Sequence, residues 1–100
     1  LIKDKDNFIL FFIRLYKNIK SHNAYMKYCL NNGYSILDEL LIYLFKRNSF
    51  LARKINKKLK HKFKRPFSIY NHIFLIGNLS KRVDFYILKM ISIFNPTENN

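Results

Sequence analysis

The sequence predicts a mainly α-helical single domain of four or five helices. Only two glycines and two prolines interrupt the 100 residues, too few for the many turns of a β-fold. Apolar residues recur at three- and four-residue spacing along most of the chain, which is the period of a helix. One hundred residues hold one hydrophobic core, and a hydrophobic fraction of 49% is sufficient to form it. We therefore expect residues 1–100 to form one small domain.

Two helices are predicted in the first third of the chain. The first is capped by Asp6 and Asn7 and ends near Lys20. A shorter helix is predicted over Ser21–Leu30, and Asn31–Gly33 then predicts a left-handed helix end, because glycine adopts that conformation without strain. The apolar stripe of the first helix consists of Phe8, Ile9, Phe12, Ile13, Tyr16 and Ile19.

The third predicted helix has the clearest start and end. Ser35 precedes it as an N-cap, with Asp38 three residues later in an approximate capping box. Asp38 and Glu39 in the first turn and Lys46 and Arg47 in the last complement the helix dipole. Helix capping explains the adjacent acids without a catalytic role. The apolar stripe consists of Ile36, Leu37, Leu40, Leu41 and Leu44.

Two further helices are predicted in the second half of the chain. One begins at Ser49, ends before Pro66 and is strongly basic. Residues 69–76 fit a short buried strand as well as a buried helix. Ser80 is predicted to cap the last helix, which stops at Asn95-Pro96. The basic helix has one narrow apolar stripe, which consists of Leu51, Ile55, Leu59 and Phe63.

The formal net charge of +13 is concentrated in residues 53–65, here called the basic segment. These thirteen residues hold eight cations and no acid, so the other eighty-seven contribute only +5. Such cations repel one another unless an anion lies nearby. Around one narrow apolar stripe they are expected to spread over most of the helix circumference, which suits a helix lying between phosphates. The candidate RNA-binding residues are Arg53, Lys54, Lys57, Lys58, Lys60, Lys62, Lys64 and Arg65.

Two other interpretations of the basic segment stay open. It can be a solvated basic face enlarged by codon bias. Residues with AT-rich codons (Lys, Ile, Asn, Phe, Tyr and Met) fill 58 of the 100 positions, which indicates an AT-rich genome such as a mitochondrial one. The segment can also lie on an anionic membrane surface, although its apolar stripe is narrow for that role.

The other polar residues show no catalytic or metal-binding pattern. Cys29 is the only cysteine, which excludes an intramolecular disulfide and any Cys-based zinc site, and we expect it to be a buried hydrophobic residue. His22, His61 and His72 have no metal-ligand spacing and no paired carboxylate, so packing or surface roles are expected. We therefore predict no enzyme: no catalytic residue, no metal, no cofactor and no small-molecule substrate.

No transmembrane helix is expected. A spanning helix needs about 20 mostly apolar residues. The longest stretch without a formal charge is residues 66–80, and it contains Asn71, His72 and Asn78. Nor does the N-terminal region resemble a secretory signal, because Asp4 and Asp6 interrupt it and no small-residue cleavage site follows.

The chain carries no family motif, and its resemblance to ribosomal proteins is one of composition: it is short, basic and without linkers. A small core with so much charge is expected to be a subunit of a larger assembly. We predict a structural rRNA-binding component of an organellar ribosome in the mitochondrial matrix, with rRNA and neighbouring ribosomal proteins as partners. The alternative is a small subunit of a mitochondrial inner-membrane respiratory complex, in contact with other subunits and anionic lipid. A basic protein that compacts DNA or RNA is a third interpretation.

Overall fold

The computed structural model describes residues 7–64, 72–73 and 76–94, and these residues contain five α-helices and no strand. The predicted mainly α-helical fold is confirmed. Most of residues 69–76, where strand and helix were both compatible with the sequence, lies outside the described residues. The helices are α1 (Asn7–Lys20), α2 (Asn23–Asn31), α3 (Ile36–Arg47), α4 (Ser49–Leu59) and α5 (Gly77–Phe94).

Helix α3 lies at the centre of the fold. Eight of its twelve residues are buried, and it packs against both α4 and α1. A helix that is buried on most of its surface is typical of a protein core. Each fully buried Leu, Ile or Phe side chain contributes roughly 1.5–3 kcal/mol of transfer free energy. The buried apolar residues of α3 are Ile36, Leu40, Leu41, Ile42, Tyr43 and Leu44.

Helices α1 and α5 form the most extensive helix pair. They run antiparallel. Phe8 near the start of α1 contacts Phe94 at the end of α5, with ring centroids 4.9 Å apart. Asn18 near the end of α1 accepts a 2.8 Å hydrogen bond from Arg82 near the start of α5. The predicted stripe of α1 is only partly correct, since Phe8, Phe12 and Ile19 are buried but Ile13 is 39% exposed. The buried side chains of the pair are Phe8, Phe12, Leu15, Ile19, Leu79, Val83, Ile87 and Met90.

The predicted starts of α3 and α4 are confirmed by their capping hydrogen bonds. Ser35 Oγ accepts a 3.3 Å bond from the N–H of Asp38. Asn48 Oδ1 accepts a 2.9 Å bond from the N–H of Leu51, while the N–H of Asn48 donates to the last turn of α3. Each cap satisfies a backbone donor that has no partner inside its helix. One residue therefore separates α3 from α4.

Helix α2 begins two residues later than predicted and ends with the expected left-handed turn. Its N-cap is His22, whose Nδ1 accepts a 3.1 Å bond from the N–H of Tyr25. Gly33 has a φ of 71°, and the following N–H, that of Tyr34, donates a 2.8 Å bond to the carbonyl of Cys29. This is the Schellman arrangement, in which a glycine accepts the left-handed backbone.

Two predicted helix boundaries in the second half of the chain are also wrong. Helix α4 ends at Leu59 rather than just before Pro66, because Lys60 has a left-handed backbone with a φ of 54°. Helix α5 begins at Gly77 rather than at a Ser80 cap. Ser80 lies inside the first turn, where its hydroxyl donates a 3.0 Å bond to the carbonyl of Gly77.

Candidate nucleic-acid interface

The basic segment begins on the exposed side of α4. Its four helical cations span roughly 140° of the circumference at 3.6 residues per turn. The expected spread over most of the circumference is wrong, because the buried face is wider than one stripe: Ala52 is buried together with Leu51 and Ile55. The cations exposed on α4 are Arg53, Lys54, Lys57 and Lys58.

The chain leaves the helix at Lys60 and continues without regular secondary structure to Lys64. Lys60, Lys62 and Lys64 are exposed, whereas the alternate residues His61 and Phe63 are half-buried. The three lysines therefore share the solvent side, and the two rings face the protein.

A buried carboxylate on α3 fixes this path. Asp38 is 0% exposed; one oxygen contacts Nε2 of His61, and the other accepts a 3.0 Å hydrogen bond from the N–H of Lys64. Phe63 also packs near Phe45, with ring centroids 6.4 Å apart. A buried carboxylate needs hydrogen-bond partners, and the N-terminus of a helix favours its charge. Asp38 thus ties the basic segment to the start of α3.

The neighbouring acid, Glu39, binds a different part of the chain in a similar way. It is also 0% exposed, and its Oε1 accepts bonds from the Tyr25 hydroxyl at 3.1 Å and from the N–H of His72 at 2.7 Å. Its Oε2 lies 3.0 Å from Nδ1 of His72, whose ring stacks on Tyr34 at 4.3 Å. The expectation that His61 and His72 have no carboxylate partner is wrong. The acids do more than complement the helix dipole.

The three carboxylates of the described residues all make internal or interhelical contacts. Asp38 and Glu39 bind histidine, tyrosine and backbone groups, as described above. Asp84 on α5 accepts a 3.0 Å bond from the Tyr43 hydroxyl and lies 3.2 Å from Nε of Arg47. All three acids of the described residues therefore either lie on α3 or contact it.

Four lysines surround a depression at the C-terminal end of α4. Its volume is about 450 Å³. The left-handed backbone of Lys60 turns the chain at this point, beside the last turn of α4. Converging ammonium groups create a positive potential that an anion lowers, and lysine is a compact point charge suited to phosphate. The residues that line the depression are Lys54, Lys57, Lys58 and Lys60.

Cys29 is buried and free, as predicted. Burial raises the pKa of its thiol to about 11, so little of the nucleophilic thiolate exists at neutral pH. Burial also raises the pKa of the Tyr25 hydroxyl, which donates to Glu39. Within the described ranges, no three His, Cys, Asp or Glu side chains come together in a way that suits a metal ion.

Seven of the eight predicted RNA-binding residues lie in the described part of the chain, and all seven are exposed. Arg65 lies outside it. Sequence reasoning missed the positioning pair, Asp38 and His61. The sequence shows a histidine within a run of cations and an acid pair elsewhere, but neither feature indicates that Asp38 contacts His61.

No protein family, curated protein or solved structure matches this chain. Of the helices in the described residues, none is both long enough and apolar enough to cross a bilayer. A function has to be argued from the site itself, because a fold alone does not imply one.

Proposed function

We propose that this protein is a structural RNA-binding component of a ribonucleoprotein particle, and specifically an rRNA-binding protein of a mitochondrial ribosome. The observation that carries the proposal is the anchored basic segment. Seven exposed cations follow one another along α4 and the irregular segment after it, and a buried carboxylate holds that segment in place. No small-molecule substrate, metal or cofactor is part of the proposal.

The two parts of the basic segment suit the phosphates of a folded RNA. The cations of α4 lie on one side of a helix, and Lys60, Lys62 and Lys64 continue this charge on the irregular segment that follows. A site that is ordered before binding loses less conformational entropy when the partner arrives. Contacts of this kind position a protein on RNA without reading its sequence.

The assignment to an organellar ribosome rests on composition and on exposed apolar side chains. The amino-acid composition, rich in residues with AT-rich codons, is typical of an AT-rich genome. Leu30 and Leu88 are 71% and 68% exposed, and neighbouring ribosomal proteins would cover them. The same two side chains favour the alternative function, a subunit of an inner-membrane respiratory complex, where other subunits or anionic lipid would cover them.

The test is a salt titration of RNA affinity with two variants that each lose four charges. If about six cations meet phosphates, log K falls against log salt with a slope of roughly −4 to −5. The site variant, in which the lysines of the depression are replaced, should flatten the slope by roughly three units. Its substitutions are Lys54→Gln, Lys57→Gln, Lys58→Gln and Lys60→Gln.

The control variant removes four exposed lysines from α1, α2 and α5 and should change the slope much less. Glutamine and lysine have similar helix propensities, so lost binding would not reflect a lost helix. Equal losses in both variants would contradict a localised site. Binding to anionic vesicles without binding to RNA would favour the membrane complex. The control substitutions are Lys17→Gln, Lys20→Gln, Lys27→Gln and Lys81→Gln.

A further inference from the structure

The contact between α1 and α5 carries cations and aromatic rings together on its solvent side. Cζ of Arg14 lies 5.5 Å from the ring centroid of Phe11. Nζ of Lys89 lies 6.0 Å from the same centroid and 5.0 Å from that of Phe85. Two cations from different helices thus meet at one ring, and one of them reaches a second ring.

Arg82 extends this group toward the start of α5. Its Nη1 donates a 2.8 Å bond to Oδ1 of Asn18 on α1, and both side chains are at the surface. Arg82, Phe85 and Lys89 follow one another at spacings of three and four residues, which places them on the same side of α5. We call Arg14, Arg82, Phe85 and Lys89 the seam cluster.

The seam cluster is positive and contains an exposed apolar ring. Along the described lengths of α1 and α5 the only acid is Asp84, which contacts Tyr43 and Arg47 of α3. Phe85 is 56% exposed. A phenyl ring at the surface offers a flat apolar face on which nucleobases stack, while nearby cations contact the phosphates of the same strand.

These features distinguish the ligand of the seam cluster from that of the basic segment. A base can stack on a protein ring only if it is unpaired, and the bases of double-stranded RNA are stacked on one another. The described residues of the basic segment offer exposed cations, and their rings, His61 and Phe63, are half-buried. The seam cluster combines cations with the exposed ring of Phe85. A single strand fits the second arrangement.

We propose that the seam cluster is a second RNA-binding site that takes a single-stranded segment, with one unpaired base on Phe85 and phosphates at Arg14, Arg82 and Lys89. The inference rests on the proposed function in taking RNA as the partner. The seam cluster belongs to the α1–α5 pair and the basic segment to α4, which packs on α3. The chain therefore has two RNA-binding surfaces and can join two segments of RNA.

The test compares two Phe→Leu variants of the full chain. Phe85→Leu removes the stacking ring, and Phe50→Leu is the matched control because Phe50 is 55% exposed on α4. The probes are a short single-stranded RNA that contains 2-aminopurine and an RNA duplex. Loss of one stacked base weakens binding by roughly fivefold or more. Phe85→Leu should show this loss with the single strand and none with the duplex, and it should abolish the quenching of 2-aminopurine.

The inference is overturned if Phe85→Leu binds the single strand as tightly as the wild type. It is also overturned if Phe50→Leu loses as much affinity for the single strand as Phe85→Leu. Circular dichroism checks that each variant keeps its helices. A second variant, Arg14→Gln with Arg82→Gln and Lys89→Gln, tests the phosphate contacts without altering the ring. If it loses the single strand while Lys54→Gln, Lys57→Gln, Lys58→Gln and Lys60→Gln together weaken binding to neither the single strand nor the duplex, the seam cluster stands and the proposed basic-segment site fails. A wild-type chain that binds neither RNA overturns both.

Discussion

The carboxylate of Asp38 holds Lys64 by its backbone and leaves the side chain of Lys64 exposed. The two residues are 26 positions apart, and the bond between Asp38 Oδ2 and the N–H of Lys64 is 3.0 Å long. An acid that paired with the ammonium group would have neutralised it. A bond to the backbone instead orients the lysine while its charge stays available to a partner.

Replacing Asp38 should release the basic segment. In Asp38→Ala the N–H of Lys64 and the ring of His61 lose their buried acceptor, and the loss of a hydrogen bond to a charged group costs about 1.5–3 kcal/mol. We expect the free energy of unfolding in urea to fall by that amount and the amide of Lys64 to exchange its hydrogen faster. Native-state hydrogen exchange measures the second effect directly.

Glu39→Gln is the control for this prediction. It alters the adjacent buried acid, whose partners are Tyr25 and His72. It should destabilise the fold, but the Lys64 amide should exchange faster only as far as global unfolding becomes more frequent. Unchanged exchange at Lys64 in Asp38→Ala would show that the bond does not hold the segment.

The left-handed backbone of Lys60 predicts whether glycine or alanine at position 60 gives the more stable protein. A left-handed conformation costs a residue with a Cβ roughly 1–2 kcal/mol, and glycine avoids this cost. Lys60→Gly should therefore be more stable than Lys60→Ala by about 1 kcal/mol, as measured by urea unfolding.

The comparison of Lys60→Gly with Lys60→Ala removes the same charge in both variants. If α4 continued through position 60, as the sequence predicts, glycine would be the less stable of the two by about 1 kcal/mol. A higher stability of Lys60→Ala would thus contradict the end of α4 at Leu59.

Burial of Cys29 and Tyr25 predicts a loss of stability at alkaline pH. Burial raises the pKa of the Cys29 thiol from 9.0 to about 11 and raises that of the Tyr25 hydroxyl above 10.0. The folded state therefore keeps protons that the unfolded state loses first. For Cys29 this contribution is complete below pH 9 and disappears as the pH rises to about 11. Urea unfolding at pH 8, 9.5 and 11 measures the decrease.

Cys29→Ala separates the contribution of the Cys29 thiol from the other effects of alkaline pH. The alanine variant should be less stable at pH 8 because it leaves a cavity, but its stability should fall less between pH 9 and 11. Wild-type and variant curves that run parallel would contradict a raised pKa for Cys29. In the folded wild type the thiol should also react slowly with iodoacetamide at neutral pH.

The starts of α3 and α4 could be predicted because their causes are local. Ser35 and Asn48 cap the helices that follow them, and each cap bonds a donor three residues ahead. The end of α4 could not be predicted in this way. Residues 60–64 are compatible with a helix, and the contacts that accompany its end involve Asp38, more than twenty positions earlier in the chain.

The candidate site likewise has one part that the sequence predicts and another that depends on contacts between distant residues. The position of the basic segment was evident from charge alone, and its described cations are exposed. The two buried acid–histidine contacts join residues 23 and 33 positions apart. Such contacts follow from the packing of helices, which determines which polar groups lose water together. Nor does a spacing pattern within one helix indicate the seam cluster, because Arg14 lies on α1 and Lys89 on α5.

The inward orientation of Asp38 and Glu39 gives dissolved ions two opposite effects on this protein. With these acids buried, the cations at the surface repel one another in the free chain. Added salt screens that repulsion and stabilises the fold. The same salt competes with a polyanion for the lysines and weakens the complex. The free chain is therefore most stable at high salt, where it binds a polyanion most weakly. In the complex, the bound polyanion screens the surface cations as salt does in the free protein.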